Sequence, residues 1–306
     1  MNFEAYIQDY SQRHRVFWAG EIPWRKYKGI VQPLGPPHIE PKLRPEDVKK
    51  LLRESKAPLA MWTYDFDSAN SRSWWWLIAE KPYSLPMLDK KSRYEIRYGL
   101  KNCTAKIISG QLLAEIGFHC YKSAMRRHAQ TLPQGESIFK RAVLGYDINT
   151  AYEIWGVFVG DTLAGYGTYQ IIDNTVILED AIFDPEFFKY RQTYALMHLA
   201  TDYYLNQKGF LYLTTGMRSI SHETQFQDFL IRNFGYRRAY CRLGLAYSWP
   251  FRILSNTIHR LEPVWQSIPF PKKIKDKLKV IQKLQAVMLE QGDIAPSFRS
   301  SMINAQ

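Results

Sequence analysis

The sequence predicts an α/β (α+β) protein: a mixed sheet flanked by helices, arranged as two tandem domains with a basic amphipathic helix at the C-terminal end. Three observations carry this. Strand-forming residues fill Tyr152–Val159, Leu163–Ile171 and Thr175–Phe183, with the turn pairs Gly160-Asp161 and Asp173-Asn174 between them, so the three runs read as a meander. The segments that follow alternate helix, strand, helix, strand, which lays two helices against the same sheet. Finally, 306 residues are compatible with one large or two ordinary domains, since single cores rarely grow far beyond about 250 residues, and 46% apolar with 15% aromatic residues allow a sizeable core and argue against a disordered chain.

Pro23, Pro33, Pro36, Pro37, Pro41 and Pro45 make an extended, punctuated connection after a strand around Gly29–Gln32. Pro45 opens a helix, with Glu46 and Asp47 in the first turn and Val48, Leu51 and Leu52 on one side. Ala57–Asp65 and Trp74–Glu80 read as paired strands around a turn at Asp67–Arg72. Leu85–Leu100 is a helix carrying Lys90, Lys91, Arg93 and Arg97, with Gly99 as its stop, and Cys103–Ile108 is a strand. Gly110–Lys140 is helical but broken at Pro133 and Gly135, and a change of pattern near Asp147 sets the domain boundary there. After the meander come a helix over Pro185–Lys208 ending at Gly209, a strand Phe210–Thr215, a helix Ser221–Phe234 capped by Ser221 and stopped by Gly235, and a strand Arg237–Trp249. The expected domains are 1–145, 146–250 and a basic tail, 251–306. Within the tail, Ile274, Leu278, Ile281, Leu284 and Met288 form a stripe opposite a lysine-rich face.

Charge and cysteine usage narrow the class. A formal net charge of +12 favours anionic partners without choosing among phosphates, nucleic acid, acidic sugars and membrane surfaces. Cys103, Cys120 and Cys241 are odd in number and in no ligand spacing, and His119, His128 and His198 show none either, so no disulfide framework and no metal site is expected. Met1–Arg15 has no basic segment followed by an apolar run, and no apolar window approaches the roughly 20 residues of a spanning helix. A cytoplasmic protein is expected, with 251–306 either resting on an anionic membrane surface through Trp249, Phe251, Ile253, Leu254 and the lysines, or docked on the second domain.

The stretch Tyr152–Tyr247 resembles the GNAT acyltransferase superfamily, specifically its Fem-type and related bacterial branches with two tandem GNAT-like domains. The resemblance rests on GVFVGDTLAGYGTY (Gly156–Tyr169), LEDAIFDPEF (Leu178–Phe187), the helix to Gly209, LYLTTG (Leu211–Gly216) and FLIRNFGY (Phe229–Tyr236). In the first half, LDKKSRYEIRYGLKN (Leu88–Asn102) is similar to a basic helix of Fem-type proteins. What this implies is a GNAT-like mixed sheet, a donor that is either acyl-coenzyme A or aminoacyl-tRNA, an amine-bearing acceptor, and tRNA as a partner. One departure bears on the donor. GNAT enzymes place a glycine-rich turn after the fourth strand, where backbone N–H groups hold the cofactor pyrophosphate. Here that place reads Lys189-Tyr190-Arg191-Gln192-Thr193-Tyr194-Ala195, without glycine. Lys189, Arg191, Gln192 and Thr193 are the candidate donor-binding residues, and their bulk counts against acetyl transfer more than against acyl transfer in general.

Amide formation needs a neutral amine, a group to take its proton and donors for the oxygen that gains charge. Glu179 and Asp180 are candidate bases. Strand alternation lets only one of them face a cleft, and the resemblance favours Glu179; a salt-bridged strand end is the other reading. The densest polar cluster is Gly216–Thr224, where Arg218 suits an anion and His222 suits proton exchange near neutrality, or where Ser221 caps and His222 is a surface residue of the first turn. Lys90, Lys91, Arg93 and Arg97 suit phosphates of a tRNA or nucleotide-activated donor, or form a solvated face. Trp74, Trp75 and Trp76 alternate faces, so at least one packs inside. The expected activity is N-acyl or aminoacyl transfer to an amine, and the alternative is a non-catalytic anion- or nucleic-acid-binding protein.

Overall fold

The structure, a computed structural model, describes residues 2–69, 72–126, 133–220, 225–253 and 272–291. In chain order the elements are α1 (Phe3–Arg13), β1 (Val16–Ala19), β2 (Ile22–Tyr27), β3 (Ile30–Pro33), α2 (Pro45–Ser55), β4 (Leu59–Tyr64), β5 (Trp74–Glu80), α3 (Lys90–Asn102), β6 (Thr104–Ile108), α4 (Gly110–Arg126) and α5 (Glu136–Ile148). They continue with β7 (Tyr152–Val159), β8 (Thr162–Ile172), β9 (Thr175–Phe183), α6 (Gln192–Asp202), β10 (Tyr212–Met217), α7 (Gln225–Phe234), β11 (Arg237–Tyr247) and α8 (Lys272–Glu290). Two compact units draw on interleaved segments: unit 1 is Met1–Tyr6, Leu77–Gly216 and Gln225–Arg237, and unit 2 is Ile7–Trp76, Met217–Thr224 and Arg238–Gln306. The boundary expected at 145/146 falls inside α5, within unit 1, and the expected first domain is shared between the units.

In unit 1, β6, β7, β8 and β9 are antiparallel neighbours and β10 joins β9 in parallel, with Tyr212 opposite Thr175. The expected meander is therefore the centre of a mixed sheet. A parallel step needs a crossover, here the 3-10 turn Pro185–Tyr190, α6 and a π-helical turn at Tyr203–Gln207. Helices cover both faces. Ile96 of α3, Leu196, Met197 and Ala200 of α6, and Leu230 and Phe234 of α7 pack on Trp155, Val157, Tyr169, Ile171 and Leu178. On the opposite face, Leu113 and Cys120 of α4 and Phe139 and Val143 of α5 pack on Ile154, Phe158 and Tyr166. Strand β8 is accordingly buried at every position after Thr162.

Two helices differ from expectation for local reasons. The expected Leu85–Leu100 helix is a 3-10 turn, Leu85–Met87, and then α3, because Asp89 caps α3 by accepting from Lys91 N and Ser92 N. Gly99 does not stop α3. It lets α6 approach: a Cβ there would lie 2.7 Å from the Arg191 carbonyl oxygen. Further along, α5 runs through Asp147, whose carboxylate accepts from Gly110 N at 2.5 Å and Gln111 N at 2.7 Å and so caps α4. The expected start of α7 at Ser221 lies outside the described residues.

In unit 2, β1, β2 and β3 are antiparallel, β3 and β4 parallel, and β4 and β11 antiparallel. Elements α1, β1 and β2 precede the strand expected at Gly29–Gln32. Val48, Leu51 and Leu52 of α2 pack with Phe17, Trp24 and Trp62. Leu284 and Val287 of α8 pack with Leu59, Trp74, Leu243 and Leu245. The apolar side of α8 is thus occupied within its own unit, while Lys279 and Lys283 stay exposed. No helix among the described residues is long and apolar enough to cross a membrane.

Candidate functional site

The strand register creates the site. Along the β8–β9 ladder Tyr169 pairs with Leu178, yet Thr168 pairs with Asp180, so Glu179 is an extra residue, a bulge. Leu178 points into the core beneath α3, α6 and α7, and Asp180, opposite Thr168, faces the other side. Glu179 faces that same side, since Tyr152, which neighbours the α4/α5 core residue Ile154 at strand spacing, donates its hydroxyl to Glu179 Oε2 at 3.2 Å. The expectation that only one of the two carboxylates can face a given side is therefore corrected: both lie on one face, and both are exposed. Two adjacent carboxylates on a mid-sheet strand would repel each other if buried; exposure screens them.

A hydrogen-bonded chain positions Glu179. The Gln170 amide nitrogen donates to Tyr152 Oη at 2.8 Å and to Tyr6 Oη at 2.9 Å, and Tyr152 in turn donates to Glu179. Gln170 is nearly buried, so its amide is fixed by these partners. The Tyr146 ring lies 5.0 Å from that of Tyr152. Burial pushes the Tyr146 phenol up to about 12, with Asp180 and then Glu179 adding to it. Tyr152 is pushed up further, by burial first and by Glu179 next. Both phenols keep their protons near neutrality, which makes Tyr152 a donor to the carboxylate rather than a base. Sequence reading missed Tyr152 and Gln170, because the bulge that sets their register leaves no mark in the periodicity, and Tyr6 and Tyr146, because helices distant in sequence bring them to the strands.

The candidate donor-binding residues lie at the start of α6, where Arg191 takes a left-handed conformation (φ 60°). The Arg191 guanidinium is ion-paired with Glu95 of α3 and donates to the Phe188 carbonyl at 3.0 Å. Gln192 is fully buried and donates to the Asp184 carbonyl at 2.9 Å. Asp184 is itself buried, accepting from Ser123 Oγ at 2.6 Å and Glu186 N at 3.1 Å. Lys189 is exposed, with its ammonium 5.0 Å from the Tyr190 ring centre, and Thr193 is half-buried.

Arg218 belongs to unit 2, where its guanidinium lies 4.7 Å from the Trp75 ring and donates to the Ser73 carbonyl; Arg238 lies at the same distance from that ring. His222 lies outside the described residues, as does His128. Arg93 donates to the Leu88 carbonyl at 2.6 Å. The His198 ring nitrogen Nδ1 meets Tyr83 Oη at 2.9 Å in the interior, and burial lowers its pKa. Burial pushes the thiols of Cys103 and Cys120 up to about 11 and 12, and Cys241 higher still, so none of the three is an activated nucleophile. Among the described residues no three His, Cys, Asp or Glu side chains are grouped to hold a metal ion.

No family model matches the chain, and no curated protein matches it in sequence. Solved structures do. The chain is similar to FemX (9% identity, TM-score 0.47, covering 71% of this chain and 81% of that one) and to a GCN5-related N-acetyltransferase from Kribbella flavida (10%, 0.45, 79% and 92%). It is also similar to the ribosomal-protein-S18-alanine N-acetyltransferase from Escherichia coli (17%, 0.30), where the match takes in 36% of this chain and 64% of that one.

Proposed function

We propose that the chain is an acyl- or aminoacyltransferase that forms an amide on an amine-bearing acceptor, with Glu179 as the proton acceptor. The observation that supports this most is the bulge at Glu179, which turns two carboxylates onto one exposed face while the Gln170–Tyr152 chain fixes the first of them. An ammonium docking there is drawn by the paired negative charge and gives up a proton to Glu179. The neutral nitrogen then attacks the donor carbonyl: the N–C bond forms, the bond from that carbonyl carbon to the donor's sulfur or oxygen breaks, the second nitrogen proton goes to the departing group, and Glu179 passes the first to water. Tyr152 keeps its own proton and positions Glu179.

The donor is acyl-coenzyme A or aminoacyl-tRNA, as the resemblance implies. At the start of α6 the side chains of Arg191 and Gln192 are already engaged, leaving Lys189 as the exposed cation and Thr193 beside it, which weighs toward a donor not held there by its pyrophosphate. Arg218 and His222 remain candidates on residue type, for anion pairing and proton transfer. Glu179 comes before them because its surroundings supply a positioned carboxylate.

Thermal-shift titration with acetyl-coenzyme A, coenzyme A and bulk tRNA separates the donors, since a ligand of the folded state raises the melting temperature. A shift with coenzyme A that Lys189→Ala abolishes would restore the α6 start as the donor site. A shift with tRNA that survives added salt supports aminoacyl transfer.

A further inference from the structure

The outer side of α3 is not used by the site above. At 100° per residue, positions 90, 94, 97, 98 and 101 fall within an arc of about 100°, with 91 beside it. These are Lys90, Tyr94, Arg97, Tyr98, Lys101 and Lys91, all exposed. Tyr94 and Tyr98 are 64% and 40% exposed, and their rings lie one helical turn apart with centroids at 6.3 Å. The opposite side of the helix, Ser92, Ile96 and Gly99, is buried in unit 1, so this face is rigidly backed. The two other charged side chains of the helix point elsewhere: Glu95 is ion-paired with Arg191, and Arg93 donates to the Leu88 carbonyl. The face therefore carries four cations, two aromatic rings and no carboxylate.

We propose that this face is a docking surface for single-stranded nucleic acid, with Lys90, Lys91, Arg97 and Lys101 on phosphates and the Tyr94 and Tyr98 rings stacking on bases. Cations alone would suit any polyanion. What selects a single strand is the pair of exposed rings set among them, because unpaired bases offer π-faces at each nucleotide and a duplex does not. A membrane surface suits the face poorly: an interfacial helix inserts a broad apolar side, and the aliphatic side chains of α3, Ile96 and Leu100, face the core. The proposal does not depend on transfer activity, and its test is of binding alone.

Fluorescence anisotropy of the full chain with a short labelled oligouridylate, across a salt series, reads both contributions. Four phosphate contacts predict a log–log salt slope of about −3, or about 50-fold weaker binding at about 200 mM than at about 50 mM salt. The double variant Arg97→Ala/Lys101→Ala should flatten that slope by about 1.4. Tyr94→Ala/Tyr98→Ala should weaken binding at each salt concentration by at least about fivefold with the slope unchanged, and Tyr94→Phe/Tyr98→Phe should restore it, since phenylalanine still stacks. Circular dichroism unchanged in these surface variants certifies the fold. Absence of binding at low salt overturns the proposal. So does binding that the α3 variants leave intact but Lys279→Ala/Lys283→Ala removes, or binding confined to anionic lipid vesicles.

Discussion

Tyr152→Phe removes one oxygen atom and, with it, the bond from the Gln170 amide at 2.8 Å and the bond to Glu179 at 3.2 Å. The two losses are unequal. Glu179 is exposed, so water replaces the phenol, and that loss costs a few tenths of a kcal/mol at most. The Gln170 amide is only 3% exposed but keeps Tyr6 Oη at 2.9 Å, so its loss is that of one ordinary buried hydrogen bond, about 1 kcal/mol. The single variant should therefore be destabilised by about 1–1.5 kcal/mol. Tyr6→Phe should cost about 1 kcal/mol by the same reasoning. The double variant should cost more than the sum by about 1–3 kcal/mol, because it leaves a buried amide with neither phenol to donate to. Urea unfolding followed by fluorescence gives each value from the midpoint at constant slope. Additivity within about 0.5 kcal/mol would refute the shared-amide arrangement and with it the positioning of Glu179.

Gly99→Ala gains about 1 kcal/mol of helix propensity but puts a methyl group 2.7 Å from the Arg191 carbonyl oxygen, so net destabilisation by thermal melting is expected; a stabilised variant would contradict the close approach of α3 and α6. Burial lowers the His198 pKa below its ordinary 6.5, so the unfolded chain binds that proton better than the folded one. The contribution is complete above about pH 6.5 and is lost as pH falls through the folded value, so His198→Gln should flatten the decline in melting temperature between about pH 7 and pH 5. With all three thiols buried and raised, an aromatic disulfide reagent near neutral pH should label none within minutes in the native protein and all three after unfolding; one fast-reacting thiol would contradict this.

Much of the fold is written in the periodicity. The meander, the crossover helix and α7 followed by β11 show in the chain because turn pairs, a 3.6-residue apolar stripe and glycine stops act locally. The site is less visible, for a definite reason. A regular ladder closed by the Asp173-Asn174 turn would pair Thr168 with Glu179 and turn Asp180 to the other face; the bulge shifts pairing by one and brings both carboxylates together. A second bulge between β7 and β8 places Tyr152 opposite Gln170 rather than Tyr169. Bulges answer to packing across the sheet, which a single strand's sequence does not encode. Gly99 illustrates the same limit: local rules read it as a helix stop, whereas its role is set by α6, distant in sequence.

Whether Glu179 accepts a proton during amide formation is decided by transfer itself. Labelled acetyl-coenzyme A and labelled aminoacyl-tRNA are each incubated with the full chain and a panel of primary amines, and amide-linked label is counted for the wild type and Glu179→Gln. The amide retains an oxygen to accept the Tyr152 hydroxyl and removes only the base, so transfer from one donor should fall by about 10²–10⁴-fold with the melting temperature unchanged. Equal rates in the two proteins, or no amide product from either donor, would contradict the account.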